Sequence, residues 1–215
     1  MKRIDVKIAN ESTFGYILYL PENYTAEKSY PLILCLHGAG ERGDGDTDLE
    51  LVNVHGLARY FNEGTMRAEA IALCPQCPVG QVWNQRVYDL KALLDEIVTT
   101  YAVDKSRITA TGISMGGFGT WEMGMTFPET FAALAPVCGG GMAWRTPALK
   151  GKAIWAFHGN ADTVVDISNS MDMVAGARKN GASVRFTIFD GVGHNSWESA
   201  YEDTRVLDFL LNASL

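Results

Sequence analysis

The segment Gly112-Ile113-Ser114-Met115-Gly116 carries the most specific chemical signal in the chain. It matches the pattern G-x-S-x-G, in which a serine stands on a sharp turn between a strand and a helix. The apolar run Ile108-Thr109-Ala110 precedes the segment, and a helical pattern follows it. A serine hydroxyl is a weak nucleophile and must be exposed beside a base, which such a turn permits. We therefore predict that Ser114 is a nucleophile; the alternative is a Gly-rich turn with an incidental serine.

A nucleophilic serine needs a base, and the chain has only four histidines. If the order is serine, acid, histidine, the base lies downstream of Ser114. This excludes His37 and His55, and His158 ends an apolar run that reads as a strand. His194 lies in a Gly-Val-Gly-His-Asn loop after the last apolar run, where it can reach the serine. We predict that it is the base, the alternative being a surface loop histidine.

The third member of such a site is a carboxylate that fixes the histidine tautomer. Asp162 follows the apolar run that ends at Phe157, so it lies in a turn at a strand end. Asp166 is a competitor, although its position ahead of a helical pattern favours a role as helix N-cap. Asp190 is a weaker rival because it is very near His194 in sequence. We predict Asp162 as the acid.

An acyl-transfer site also needs N–H groups that stabilise a developing oxyanion. One predicted donor is the backbone N–H of Met115, directly after the serine. The other should lie in the loop His37-Gly38-Ala39-Gly40, and we nominate the Ala39 N–H. Gly40 is the second choice and a predicted substrate contact, and the alternative is a plain Gly-rich turn. The opposite charges of Glu41 and Arg42, next in the loop, are expected to pair with each other or with neighbours.

Three tryptophans are predicted to line the substrate pocket. Trp83 follows an irregular stretch, Trp144 lies in a Gly-rich segment and Trp197 comes just after His194. A flat apolar cleft would favour aromatic or short alkyl groups. Core packing is the alternative for each of the three indoles.

Composition sets the class of protein. The 215 residues suffice for one domain, residues 1–215, with a sizeable core. The formal net charge of -7 and the absence of a basic stripe disfavour nucleic-acid binding. No apolar run is long enough to span a bilayer, and no secretory signal follows the N-terminus. The sequence therefore predicts a cytoplasmic protein that does not bind membranes.

The cysteines offer little sign of a metal site. Cys74 and Cys77 form a C-x-x-C pair, but no second ligand pair stands at a suitable spacing. We interpret the pair as packing residues at a strand end and Cys35 as a core residue. The sequence predicts no metal and no cofactor, and its Gly-rich loops lack the Lys-Ser/Thr ending of a phosphate loop.

The elements that must position these residues alternate along the chain. An antiparallel hairpin is predicted at the N-terminus, with a turn at residues 10–12. Continuous apolar runs at 32–36, 70–73, 108–110, 154–157 and 184–189 indicate strands buried on both faces. Helical patterns cover 87–98, 115–127, 168–179 and 197–211. We therefore predict a three-layer α/β fold with a mostly parallel sheet, whose ligands bind at the carboxyl ends of the strands.

Taken together, these motifs resemble the α/β-hydrolase superfamily. More narrowly they resemble small esterases grouped with phospholipase/carboxylesterases, dienelactone hydrolases and feruloyl-esterase-like or polyhydroxybutyrate-depolymerase-like proteins. The resemblance runs from about Pro31 to the C-terminus. Dienelactone hydrolases use a cysteine where this chain has Ser114. No large lid insertion is evident after Val137, although residues 139–147 could form a small cap.

The resemblance implies a carboxylic ester hydrolase that works through a Ser-His-Asp triad and an acyl-enzyme. Small, short-acyl or aryl esters are the implied substrates. A peptidase or an acyl transferase on the same triad is the alternative, because fold does not fix function. A non-catalytic homologue that binds a ligand is a further alternative. The sequence leaves open whether the protein is a monomer or a homodimer.

Overall fold

The computed structural model describes residues 1–8, 14–202 and 204–215, and its centre is an eight-stranded sheet. The strands are β1 Lys2–Val6, β2 Tyr16–Leu20, β3 Tyr30–Leu36, β4 Ile71–Pro75, β5 Val103–Ile113, β6 Ala133–Val137, β7 Ala153–Gly159 and β8 Ser183–Phe189. Their spatial order is β1-β2-β4-β3-β5-β6-β7-β8. The β1–β2 and β2–β4 pairs are antiparallel, and every other pair is parallel.

The predicted N-terminal hairpin is confirmed as the β1–β2 pair at one edge of the sheet. The turn that we placed at residues 10–12 lies outside the described residues. The apolar runs at 32–36, 70–73, 108–110 and 154–157 are also confirmed as strands buried on both faces. The run at 184–189 forms β8, but the prediction that both its faces are buried is wrong, because β8 is an edge strand of the sheet and Ile188 is 47% exposed. In β3, Leu32 and Leu34 pack into one core cluster, while Ile33 and Cys35 pack into the cluster on the opposite face. Both faces of the sheet are therefore covered, which is why the run has no polar alternation.

Six α-helices form the two outer layers within the described ranges. They are α1 Gly56–Glu63, α2 Val87–Thr100, α3 Met115–Thr126, α4 Ser168–Lys179, α5 Trp197–Glu202 and α6 Val206–Asn212. Residues of α2, α3 and α4 belong to one core cluster, and residues of α1, α5 and α6 belong to the other. The predicted α2, α3 and α4 are confirmed, whereas α1 was not predicted.

The prediction of one continuous helix over 197–211 is wrong, because α5 and α6 are separate. Thr204 stands between them and satisfies a backbone group of each. Its hydroxyl donates to the Ala200 carbonyl at 2.6 Å, and its oxygen accepts from the Val206 N–H at 3.2 Å. The Thr204 hydroxyl thus provides hydrogen-bond partners for backbone groups at the end of α5 and at the start of α6.

Helix α3 forms although its sequence, MGGFGTWEMGMT, is rich in glycine, the weakest helix former after proline. Ten of its twelve residues are buried, so tertiary packing outweighs intrinsic propensity. The glycines allow the helix to approach its neighbours closely. A Cβ at Gly116 would lie 2.0 Å from the carbonyl oxygen of Leu36 at the end of β3. This contact fixes the start of α3 against the strand that carries the loop of residues 37–43.

We expect Gly116→Ala to lower the free energy of unfolding by about 3 kcal/mol, because the clashing atom is backbone and cannot move aside. Urea denaturation would measure the change. Gly40→Ala is the matched control, since a Cβ there meets nothing within 4 Å and the position lacks a left-handed backbone. Its effect should stay within about 0.5 kcal/mol. Equal stability of the two variants would contradict this account of the packing.

All four cysteines are buried free thiols, in agreement with the packing interpretation. Burial raises the pKa of Cys77 to about 11 and the pKa of Cys74 well above its ordinary value. Along the three described ranges, no helix combines the length and the apolar character needed to cross a lipid bilayer. The cytoplasmic location stays a prediction.

Candidate active site

Three loops at the carboxyl end of the sheet bring Ser114, His194 and Asp162 together. They follow β5, β8 and β7, respectively. The Nε2 atom of His194 lies 2.9 Å from the Ser114 hydroxyl oxygen, and its Nδ1 atom lies 2.8 Å from Asp162 Oδ2. The imidazole therefore bridges a hydroxyl and a carboxylate at hydrogen-bond distance. This is the spatial relation of a nucleophile, a base and an orienting acid.

Ser114 occupies a strained turn between β5 and α3. Its backbone has φ 51° and ψ -117°, a left-handed conformation that non-glycine residues seldom adopt. The turn is held by its own N–H, which donates to the Val137 carbonyl at 3.0 Å and approaches the Cys138 sulfur at 3.3 Å. Gly112 precedes the turn, and a Cβ there would lie 2.4 Å from the Gly116 carbonyl. The glycines of the motif thus allow the close crossing that presents the hydroxyl.

Both oxygens of the Asp162 carboxylate have hydrogen-bonding partners. Oδ2 faces His194, while Oδ1 accepts from the backbone N–H groups of Val164 and Val165, both at 2.9 Å. Burial by itself would raise the pKa of Asp162. The hydrogen bonds from His194 and from the two backbone donors outweigh it and lower the pKa below its ordinary value. The acid is therefore held ionised where it faces the imidazole.

A second histidine that sequence reasoning passed over also contacts this carboxylate. His158, fully buried at the end of β7, places Nε2 3.2 Å from Asp162 Oδ2 and 2.9 Å from the Val165 carbonyl. Both neighbours are acceptors, so this nitrogen is the donor. Its Nδ1 lies 2.7 Å from the Ser170 hydroxyl. In the sequence, the four-residue spacing of His158 and Asp162 was the feature that could have indicated this contact.

The two rival carboxylates lie elsewhere. Asp166 accepts from the Ser168 N–H at 2.8 Å, at the start of α4. Asp190 accepts from the Asn160 side chain at 2.8 Å and holds the loop after β8. The geometry thus separates Asp162, which meets the imidazole, from both alternatives.

The loop that follows β3 passes beside the serine. A Cβ at Gly38 would lie 3.7 Å from the Cβ of Ser114. Ala39 and Gly40 are exposed at the start of a short 3-10 turn, Ala39–Glu41. Met115 is the first residue of α3, so its N–H has no intrahelical acceptor. The roles of Met115, Ala39 and Gly40 as oxyanion donors and substrate contacts stay predictions.

His37 and Trp83 support this loop from beneath. The His37 Nδ1 faces the Gly38 carbonyl at 2.6 Å, and its Nε2 accepts from the Cys77 N–H at 2.9 Å. Burial lowers the pKa of His37 to about 4, so the ring is neutral in this arrangement. The prediction that Trp83 lines the pocket needs correction. Its indole has no exposed surface and donates to the His37 carbonyl at 3.0 Å, because it fills the space under the loop.

Of the two arrangements expected for Glu41 and Arg42, pairing with each other is wrong, and each side chain lies against other neighbours instead. Glu41 is 6% exposed and lies close to the backbone N–H groups of Gly38 and of its own residue. Burial raises the pKa of its carboxyl, with His55 partly opposing the shift. The Nε of Arg42 instead donates to the sulfur of Met115 at 3.4 Å. Within the described residues, no ion pair joins the two side chains.

The other predicted aromatics take different positions. Trp197 is half-buried, and its ring meets the ring of His194 edge-on at a centroid distance of 5.4 Å. It also lies 5.4 Å from the ring of His55. Trp144 is 76% exposed in the turn Ala143–Leu149 that follows β6. Substrate binding by either indole stays a prediction.

A cavity of about 370 Å³ opens next to the serine turn. Met115 and Phe118 from the first turn of α3 form one side, and Val82 and Asn84 come from the loop that follows β4. Arg42 closes the cavity from the β3 loop. The lining is mainly apolar with one cation and one amide. None of these residues was predicted from the sequence to line a pocket. Met115 was selected only for its backbone N–H.

The side chains of Cys138, Asp162 and His194 form a cluster of potential metal ligands, but their chemistry does not suit a metal ion. Donor atoms of Cys138, Asp162 and His194 lie within 4.8 Å of one another. A thiol must lose its proton to bind zinc, yet burial raises the pKa of Cys138 to about 12. The Nδ1 of His194 is already paired with the carboxylate. Metal-free chemistry stays a prediction.

The mixed sheet, the helices on both faces and the strained serine between β5 and α3 define an α/β-hydrolase-type protein. A family model described as "Putative esterase" matches residues 9–182. The chain therefore belongs to this esterase family. The match includes Ser114 and Asp162 and ends before His194.

Individual relatives carry related descriptions. The "Probable feruloyl esterase C" of Aspergillus terreus is 26% identical over 163 residues, which is 74% of this chain and 58% of the relative. The "Poly(3-hydroxyalkanoate) depolymerase C" of Paucimonas lemoignei is 39% identical over 51 residues, 24% of this chain and 12% of the relative. The chain thus spans less than two thirds of the length of either protein.

Among solved structures, one described as a thermostable esterase superposes with a TM-score of 0.81 and 30% identity. The superposition covers 100% of this chain and 63% of that one. The likeness therefore extends over all the elements that carry the candidate site.

Proposed function

We propose that the protein hydrolyses carboxylic esters through a Ser114-His194-Asp162 triad and an acyl-enzyme. The continuous contact from the Ser114 hydroxyl through His194 to Asp162, at 2.9 and 2.8 Å, carries the proposal. Membership of the esterase family supports it independently.

In the first half of the reaction, Ser114 Oγ forms a bond to the ester carbonyl carbon while its proton moves to His194 Nε2. Asp162 accepts from Nδ1–H, which keeps Nε2 free to act as base and stabilises the imidazolium. The bond to the leaving oxygen then breaks, and Nε2 donates its proton to that oxygen. An alcohol leaves and an acyl-serine remains.

The second half repeats these steps with water. Its oxygen bonds to the acyl carbon, one proton moves to His194 Nε2, and the bond to Ser114 Oγ breaks as the proton returns to it. The N–H groups of Met115 and Ala39 stabilise the oxyanion in both halves. Met115 is the first residue of α3 and Ala39 the first residue of the Ala39–Glu41 turn, positions where the N–H has no intrahelical acceptor, and this supports the assignment.

Short-acyl and aryl esters are the proposed substrates. The cavity beside Met115 has a volume of about 370 Å³, enough for a small acyl or aromatic group, and its walls are mainly apolar. The relatives named as feruloyl esterases are consistent with an aromatic acyl group.

The proposal is tested by treating the purified protein with an organophosphonate and by assaying 4-nitrophenyl acetate, butyrate and octanoate. We expect turnover of the acetate and butyrate and one covalent adduct by intact mass, mapped by peptide digestion to Ser114. The rate with the octanoate ester, relative to the two shorter esters, measures the length of acyl chain that the cavity accepts. A folded protein with no turnover, and no adduct at Ser114, would refute the proposal and favour a non-catalytic binding homologue.

A further inference from the structure

Arg42 places an unneutralised cation in the apolar cavity beside the serine. Its Nε–H is directed at the Met115 sulfur, and within the described part of the chain its two terminal nitrogens form no hydrogen bond or ion pair. The other lining residues are Val82, Asn84, Met115 and Phe118, none of which is acidic. Within the described residues, the two terminal nitrogens of this cavity-lining residue are therefore available to a ligand.

The position of Arg42 is fixed by its neighbours in the chain. The Glu41 carbonyl accepts from the side chain of Gln76 at 3.2 Å, and the Gly43 N–H donates to the Cys77 carbonyl at 3.1 Å. Gln76 is itself 1% exposed, and a Cβ at Gly43 would lie 2.2 Å from its Nε2. The backbone on both sides of Arg42 is thus tied to the loop after β4. This limits how far its side chain can move from the cavity.

Two features of the lining favour the acyl side of the proposed reaction centre for this cavity. Met115 contributes its side chain to the cavity, and its N–H is the proposed partner of the acyl carbonyl oxygen. No residue of the loop that carries His194, which protonates the leaving alcohol, lines it. A group in the cavity therefore belongs to the acid half of an ester.

We infer that Arg42 selects esters whose acyl chain ends in an anionic group, of the kind found in a half-ester of a dicarboxylic acid. A carboxylate at the cavity wall would meet the free guanidinium donors in two-pronged geometry, while the methylene chain lies against Met115 and Phe118. The chain as a whole carries a net charge of -7, so a local cation is needed to hold such a substrate. The inference rests on the proposed ester hydrolysis.

The test compares two substrates that share a six-carbon acyl chain: the 4-nitrophenyl monoester of adipic acid, which is anionic, and 4-nitrophenyl hexanoate, which is neutral. We expect Arg42→Gln to lower kcat/KM for the adipate ester about 10- to 100-fold. The value for the hexanoate ester should fall by a clearly smaller factor, because Gln retains part of the alkyl stem, so the ratio of the two kcat/KM values should fall at least about fivefold. Arg42→Lys should retain part of the preference for the anion.

Arg205→Gln is the matched control, because it removes the same charge from a side chain that is 89% exposed and does not line the cavity. It should leave both rates unchanged. An equal loss of both substrates in Arg42→Gln, or an unchanged ratio, would overturn the inference and leave ester hydrolysis standing. If the wild type turns over neither ester and no phosphonate adduct forms at Ser114, the proposed function itself fails.

Discussion

Ser114→Ala is expected to lower kcat for ester hydrolysis by about 10⁴- to 10⁶-fold, because the variant lacks the atom that bonds to the acyl carbon. His194 and Asp162 keep their mutual hydrogen bond, and the N–H groups at the start of α3 stay in place. The small residual rate would come from binding and from the oxyanion donors. Steady-state kinetics on 4-nitrophenyl butyrate, with the uncatalysed rate subtracted, measure the loss.

The serine turn makes this variant a clean test. Alanine has the same Cβ as serine, so the left-handed backbone at φ 51° costs both residues about the same. The melting temperature should therefore stay close to that of the wild type, and the loss of rate cannot be attributed to unfolding. A rate within tenfold of the wild type would show that another residue is the nucleophile.

Asp162→Asn is expected to lower kcat by about 10⁴-fold without removing any side-chain volume. The N–H groups of Val164 and Val165 require an acceptor, so the Asn carbonyl takes the place of Oδ1. The amide NH2 then faces His194 and forces its Nδ1 to accept a hydrogen bond. The proton of the neutral ring moves to Nε2, which can no longer take the serine proton.

The rival carboxylates provide matched controls for Asp162→Asn. Asp166→Asn and Asp190→Asn make the same chemical change in loops where the carboxylate faces Ser168 or Asn160 and not the imidazole. Both should keep kcat within about threefold of the wild type, measured with the same ester. A comparable loss in either control, or activity near the wild-type level in Asp162→Asn, would argue against the assignment of the acid.

The sequence was sufficient for the fold class and for the convergence of three side chains. Continuous apolar runs identify five strands, of which four are buried on both faces, and G-x-S-x-G identifies the turn that carries Ser114. Chain order and position after a strand then single out His194 and Asp162. These inferences succeed because each depends on local chemistry and on the rule that parallel strands end at one edge.

The residues that the sequence misplaced depend on tertiary packing. An indole beside an irregular stretch looks like a pocket wall, but Trp83 is enclosed because the loop after β3 lies over it. Glu41 and Arg42 are adjacent and opposite in charge, yet their side chains diverge, one inward and one to the cavity. At the break between α5 and α6, the Thr204 hydroxyl provides hydrogen-bond partners for backbone groups of both helices. None of these three features produces a periodic pattern in the sequence from which it could be predicted.

The left-handed conformation of Ser114 makes opposite demands on one residue, because stability favours glycine there while the proposed reaction requires a hydroxyl. A left-handed non-glycine residue costs on the order of 1 kcal/mol that glycine would not. Under the proposed mechanism, selection for thermal tolerance alone therefore favours glycine at position 114, which lacks the hydroxyl, and a library screened only by heat would enrich inactive chains. Any directed evolution of this scaffold has to apply the ester substrate and the heat in the same round.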